Sequence, residues 1–184
     1  MKRLGLALVA VALCVVATRP AMAQAVGHLR YGVNAGVLLP MGDYGASGTG
    51  DKMGFVAGVG ATYWLPVGSI GVRGDLSYSQ TSHDGISGNT KIMGGMASVV
   101  YALNPASAPA RIMITGGVGM FNVKESVTSA SETKIGFGGG AAVAFKMGTG
   151  STRLVLGSRF TSVSTSGSSI TFLPITVGLT FGGK

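Results

Sequence analysis

Cysteine is nearly absent. Cys14 is the only one among 184 residues, which excludes a disulfide-built scaffold and a cysteine-ligated metal centre. Charge is sparse too: Asp, Glu, Lys and Arg make up 11% of the chain, against about 25% in ordinary soluble domains. Acids are the scarcer sign, 6 against 14 bases. Proline numbers only 6, and the glycines follow no three-residue period, so a collagen-like rod is excluded. Past the N-terminus no run of about 18 apolar residues exists to cross a membrane as a helix. After Gln24 no apolar period of about 3.6 residues appears either. What is abundant is apolar character: 46% hydrophobic residues, 32 glycines and a mean hydropathy of +0.47. That is too apolar for a disordered chain. A membrane protein without membrane helices has one other way to satisfy its backbone in lipid, the closed β-barrel.

The N-terminus has the pattern of an export signal. Lys2 and Arg3 precede an apolar stretch of 14 residues, Leu4 to Ala17, and Ala21-Met22-Ala23 is an A-x-A cleavage site. Such a stretch, at about 1.5 Å per residue, is too short to cross a core of about 30 Å as a helix. We expect residues 1–23 to be a cleaved signal peptide, with the cut between Ala23 and Gln24, and residues 24–184 to be the barrel domain. Cys14 follows Leu13 inside the apolar stretch, so it is not a lipoprotein cysteine and leaves with the signal. Loss of Lys2, Arg3 and Arg19 leaves 11 bases and 6 acids. Those bases are scattered singly along the chain, so no nucleic-acid footprint is expected.

Period-two alternation recurs through the rest. Phe55, Ala57, Val59, Ala61, Tyr63 and Leu65 share one face, with Gly58, Gly60 and Thr62 opposite. Leu173, Ile175, Val177, Leu179 and Phe181 do the same near the end. The alternation predicts eight strands, near 29–39, 54–65, 70–80, 91–103, 111–123, 134–146, 153–162 and 169–181. These lengths suit tilted strands crossing a bilayer, which need about 9–11 residues. Connections alternate between short turns (66–69, 104–110, 147–152) and longer polar loops (40–53, 81–90, 124–133), with 163–168 a short exception on the long side. Antiparallel neighbours with short periplasmic turns and longer outer loops have this rhythm. On the apolar face, Tyr31, Tyr63, Tyr101, Phe145 and Phe181 fall near one rim, and Phe55, Tyr78, Phe137 and Phe160 near the other. Two aromatic girdles result. Trp64, Phe121 and Phe172 are out of phase, and a bulge would be needed to turn them outward. The other face is glycine-rich (Gly32, Gly36, Gly58, Gly60, Gly117, Gly119, Gly138, Gly140), as a narrow, strongly coiled barrel requires.

With those features in place, the sequence resembles the small eight-stranded bacterial outer-membrane β-barrels of the OmpA/OmpX-like group. The most specific element is the last strand, 170–181, with alternating apolar residues and the terminal aromatic Phe181. The resemblance implies a bacterial outer-membrane location, lipid contact, and reading of this strand by the barrel-assembly machinery. Gly182, Gly183 and Lys184 extend past the aromatic, and Pro174 lacks a ladder N–H, so a bulge or a water is expected beside it.

The expected fold is therefore all-β, an eight-stranded antiparallel up-and-down transmembrane barrel, monomeric and without cofactor. The two histidines of the expected mature chain, His28 and His83, and its dispersed acids offer no metal set, and the glycine runs lack the Gly-Lys-Ser/Thr ending of a phosphate loop. One polar constellation stands out. Arg73 and Asp75 share the inward face of the third strand, and Arg159 lies inward on the seventh, across the barrel near mid-depth. Charges in so narrow a space must pair, which favours a polar plug over an ion path. Ser82-His83-Asp84 lies on the second outer loop, where a His-activated hydroxyl would suit a lipid-modifying enzyme. The preferred expectation is a non-catalytic structural or surface-interaction protein. A narrow channel comes next, then a lipid-modifying enzyme, then a soluble ligand-binding barrel.

Overall fold

The computed structural model describes residues 28–45, 50–83, 88–125, 131–164 and 169–182. The segment expected to be the signal, residues 1–23, and the expected cut between Ala23 and Gln24 lie outside them, as does the short 165–168 connection. Alternating apolar and small residues pleat into eight strands: β1 (His28–Met41), β2 (Gly54–Trp64), β3 (Ile70–Ser82), β4 (Asn89–Ala102), β5 (Ala110–Glu125), β6 (Ser131–Lys146), β7 (Arg153–Ser164) and β8 (Ser169–Gly182). Each pairs antiparallel with its sequence neighbours. β1 pairs with β8, as in Tyr31 opposite Phe181, and the sheet closes without an edge.

The strands run further toward the loop end than the hydrophobic pattern alone indicates. Thr81-Ser82 extends β3, Asn89-Thr90 opens β4, Lys124-Glu125 lengthens β5 and Ser131 to Thr133 begins β6. The backbone ladder continues above the apolar band because it does not depend on apolar side chains. The first loop also contains a single 3-10 turn, Gly42–Gly45, which the alternation did not indicate. At the opposite end, Gly68 and Gly148 turn the chain with φ of 75° and 60°.

No bulge relieves Pro174. Leu38 pairs with it from β1, while on the β7 side pairing runs to Ser158–Ile175 and resumes at Thr161–Phe172 in the same register. The missing N–H interrupts the ladder locally without shifting it. Nor does a bulge turn the out-of-phase aromatics outward. Trp64, Phe121 and Phe172 stay in register, face the lumen and are buried.

The lumen is filled in layers. Toward the loop end, Leu38, Val56, Ile92, Phe121, Val123, Val163 and Phe172 pack together, with the Phe121 and Phe172 rings edge-to-face at 6.1 Å. Toward the turn end, Trp64, Val100, Ala102, Met113 and Ala144 form a second cluster. The outer wall is the reverse of a soluble surface: Val33, Val59, Leu76, Val118, Ile135 and Val177 are all exposed. The girdle residues Tyr31, Tyr63, Tyr101, Phe145 and Phe181 are exposed near the turn end, and Phe55, Phe137 and Phe160 toward the loop end. Tyr78 is partly covered beside Phe55, with ring centroids 6.0 Å apart.

Inward and outward glycines differ in what surrounds them. A Cβ on Gly140 would press on the Ser158 carbonyl and lie 2.7 Å from Arg159 Cα, whereas one on outward Gly116 meets nothing within 4 Å. Gly140→Ala should therefore cost about 1–3 kcal/mol through overpacking, while Gly116→Ala should be near neutral. Urea unfolding in lipid vesicles measures both. Equal effects would contradict the assignment of the two faces.

Candidate functional site: the charged layer of the lumen

Between the two apolar layers lie Arg73, Asp75 and Arg159. Arg73 and Asp75 are two apart on β3, so the pleat aims both inward. Arg73 Nε donates to the Asp75 carboxylate at 2.8 and 3.0 Å, and Nη2 approaches Oδ1 at 2.7 Å. This is the fork-on-carboxylate geometry that suits a guanidinium. β7 stands four strands from β3 on either side of the closed sheet, hence opposite it. From there Arg159 reaches across, with Nη2 3.1 Å from Asp75 Oδ2 and Nη1 3.2 Å from Met96 Sδ. One carboxylate thus holds two guanidiniums, and the structure brings all three residues together.

The surrounding glycines make the room. A Cβ on Gly60 would lie 2.6 Å from Asp75 Oδ1, so only a bare backbone on β2 lets the carboxylate rest there. The cluster borders a lumen cavity of about 130 Å³. Its chemistry is that of a strut: the acid is saturated by two bases, which leaves it poorly suited to proton transfer or to a mobile cation.

A second polar cluster sits at the loop end, where sequence reasoning had placed His83 with its neighbours in the chain. Instead, His83 Nδ1 pairs with Asp51, 32 positions away in the first loop, and a backbone bridge joins the same two residues. Thr81 Oγ1 donates to the other oxygen of Asp51, so the Tyr44 phenol, 2.8 Å from Thr81 Oγ1, donates in turn. Burial holds the Tyr44 hydroxyl well above its ordinary pKa, and it remains a donor at any physiological pH. Asp84 lies outside the described residues. The Thr81 hydroxyl bonds the carboxylate rather than the imidazole, so it is not arranged as a base-activated nucleophile. The cluster clasps the first loop onto β3.

Among the described residues, no group of three or more His, Cys, Asp or Glu is placed to hold a metal. Phe181 lies opposite Tyr31 at the seam between β8 and β1, its ring on the outer wall. Sequence reasoning missed one grouping. Arg30, Arg111 and Arg153, far apart in the chain, converge inside the turn-end mouth. Each lies within the first residues of its strand and on the inward phase, a signal that linear spacing does not display.

A family model for the outer membrane protein β-barrel domain matches residues 7–181. No curated protein matches the chain. Among solved structures, the chain is similar to Neisserial surface protein A, at 14% identity and a TM-score of 0.64, covering 83% of this chain and 96% of that one. It is also similar to the N-terminal β-barrel domain of Pseudomonas aeruginosa OprF, at 13% identity and TM-score 0.50, covering 85% and 100%. A third likeness is to the attachment invasion locus protein Ail of Yersinia pestis, at 18% identity and TM-score 0.51, covering 84% and 99%.

Proposed function

The chain belongs to the outer membrane protein β-barrel family, and from that premise we propose that it is an exported, sealed, non-catalytic barrel of the bacterial outer membrane. Its role is structural or one of surface interaction, carried by the loop end. In this reading the signal is removed after Ala23 to leave Gln24, and the barrel-assembly machinery inserts the domain by way of its last strand. The protein then sits in outer-membrane lipid as a monomer, without cofactor or nucleic acid.

The observation that carries the proposal is the layered lumen. A permeating ion would have to pass the Phe121–Phe172 layer, the saturated Arg73–Asp75–Arg159 layer and the Trp64 layer in turn. Apolar layers of this kind are costly for an ion to cross. The same barrel scaffold serves different roles in different proteins, so it is this lumen, rather than likeness, that supports the reading.

Single-channel recording of the purified protein in a planar bilayer tests the seal. The expected record is flat. Reproducible discrete conductance steps would replace the sealed barrel with the narrow channel.

A further inference from the structure

We propose that the turn-end mouth of the barrel is an anion site for a phosphate-bearing solute, entered from the periplasm in the orientation given above. The mouth holds a cavity of about 260 Å³ lined by Arg30, Arg111, Arg153, Lys146 and Trp64, with no carboxylate among the lining residues. The described acids other than Asp75 all lie toward the loop end: Asp51 pairs with His83 there, and Glu125 and Glu132 flank the third loop. Asp75 is already shared by Arg73 and Arg159. Among the described residues, the cavity is therefore cationic without internal compensation.

The guanidiniums are fixed rather than floppy, and fixed by neutral groups. Arg30 donates to the Ser151 carbonyl in the turn before β7, and Arg111 to the Gly68 carbonyl in the turn before β3. Arg153 donates to the Ala106 carbonyl, at 2.7 Å, in the turn before β5. A carbonyl orients a guanidinium but leaves its charge intact. Arg111 also lies over the Trp64 ring, 3.8 Å from its centroid. Arg111 is only 7% exposed, and its Nε is buried without a partner. A buried donor left unpaired is costly, and three like charges around one cavity repel. An oxyanion with several acceptor oxygens answers both at once, and phosphate matches the forked guanidinium geometry. Arg30, Arg111, Arg153 and Trp64 lie on the inward phase of their strands, so the favoured source is a soluble phosphate or phosphomonoester. A lipid headgroup would have to leave its acyl chains outside the wall.

Trp64 is the only tryptophan in the chain, and it reports the site directly. The membrane-extracted protein, purified in a zwitterionic detergent, is titrated with inorganic phosphate against chloride at matched ionic strength. A saturable change in Trp64 fluorescence is expected with phosphate alone, together with a rise of several degrees in Tm. The variant Arg30→Gln/Arg153→Gln removes two charges and keeps an amide donor at each position, on a shorter side chain. It should bind phosphate on the order of tenfold more weakly or worse. In phosphate-free buffer it should be at least as stable as the parent, because repulsion is relieved. If the arginines only fasten the turns, the variant is less stable than the parent in both buffers and phosphate does nothing specific, which overturns the proposal. A fluorescence response equal for chloride and phosphate also overturns it. Nanodiscs separate the sources. With a soluble ligand, phosphate changes Trp64 equally in phosphatidylcholine and phosphatidylglycerol discs. With a headgroup as ligand, phosphatidylglycerol alone produces the change and added phosphate produces none.

Discussion

Asp75→Ala should lower the unfolding free energy by about 3 kcal/mol, the lower end of the usual cost of removing one partner from a buried ion pair. The reason is asymmetry. Among the described residues, Asp75 is the one carboxylate that both Arg73 and Arg159 contact, and its side chain is 11% exposed. Without it, two guanidiniums confront each other across a lumen bounded by apolar layers. Their own side chains keep 23% and 21% exposure, so some hydration softens the loss and keeps it at the low end. Asp75→Asn separates charge from shape. It can still accept hydrogen bonds, yet it should recover only a minor part of the stability if charge dominates.

The coupling is read from a double-mutant cycle with Arg159→Ala. Removing both partners should cost less than the two single changes together, by about 1–3 kcal/mol, because each single change strands the other charge. Urea unfolding of the four proteins in lipid vesicles gives the numbers. Strict additivity would mean that the 3.1 Å contact between Arg159 Nη2 and Asp75 Oδ2 contributes nothing, and the lumen would then have to be read as a hydrated path.

Much of the wall was legible because lipid imposes a strict rule on it. A strand with lipid on one side and a narrow lumen on the other must alternate, so Phe55 to Tyr63 announces both its conformation and its faces. The same phase puts Arg73, Asp75 and Arg159 inside, and strand counting sets them on opposite walls. The rule reads only the wall. A large apolar residue on the inner phase looks like one displaced by a bulge, and Trp64, Phe121 and Phe172 turned out to fill the lumen without any bulge. The clasp between Asp51 and His83 depends on how a loop folds back, which no period records. The convergence of Arg30, Arg111 and Arg153 was hidden by the up-and-down path itself. Residues at neighbouring strand ends are adjacent in space and remote in sequence, so bases that look solitary along the chain gather at one mouth.

The other large effect belongs to the outer wall. Val59 is 51% exposed in the absence of lipid, and its partners in the ladder, Val33 and Leu76, are exposed beside it. Such a belt is a liability in water and an asset in a bilayer. Val59→Arg should therefore cost about 2–4 kcal/mol when the barrel folds into vesicles, the penalty for Arg near the membrane midplane. Met53→Arg supplies the control: it too is exposed, but it precedes β2 at the loop end and should cost about 0–1 kcal/mol. The contrast is diagnostic because a soluble ligand-binding barrel predicts something else. With water on its outer wall, both arginines would be tolerated, and the depth of the position would not matter. Refolding titrations into phosphatidylcholine vesicles measure the two variants side by side. A penalty at Val59 that is absent at Met53 places lipid against this wall, whereas equal tolerance would return the outer face to solvent.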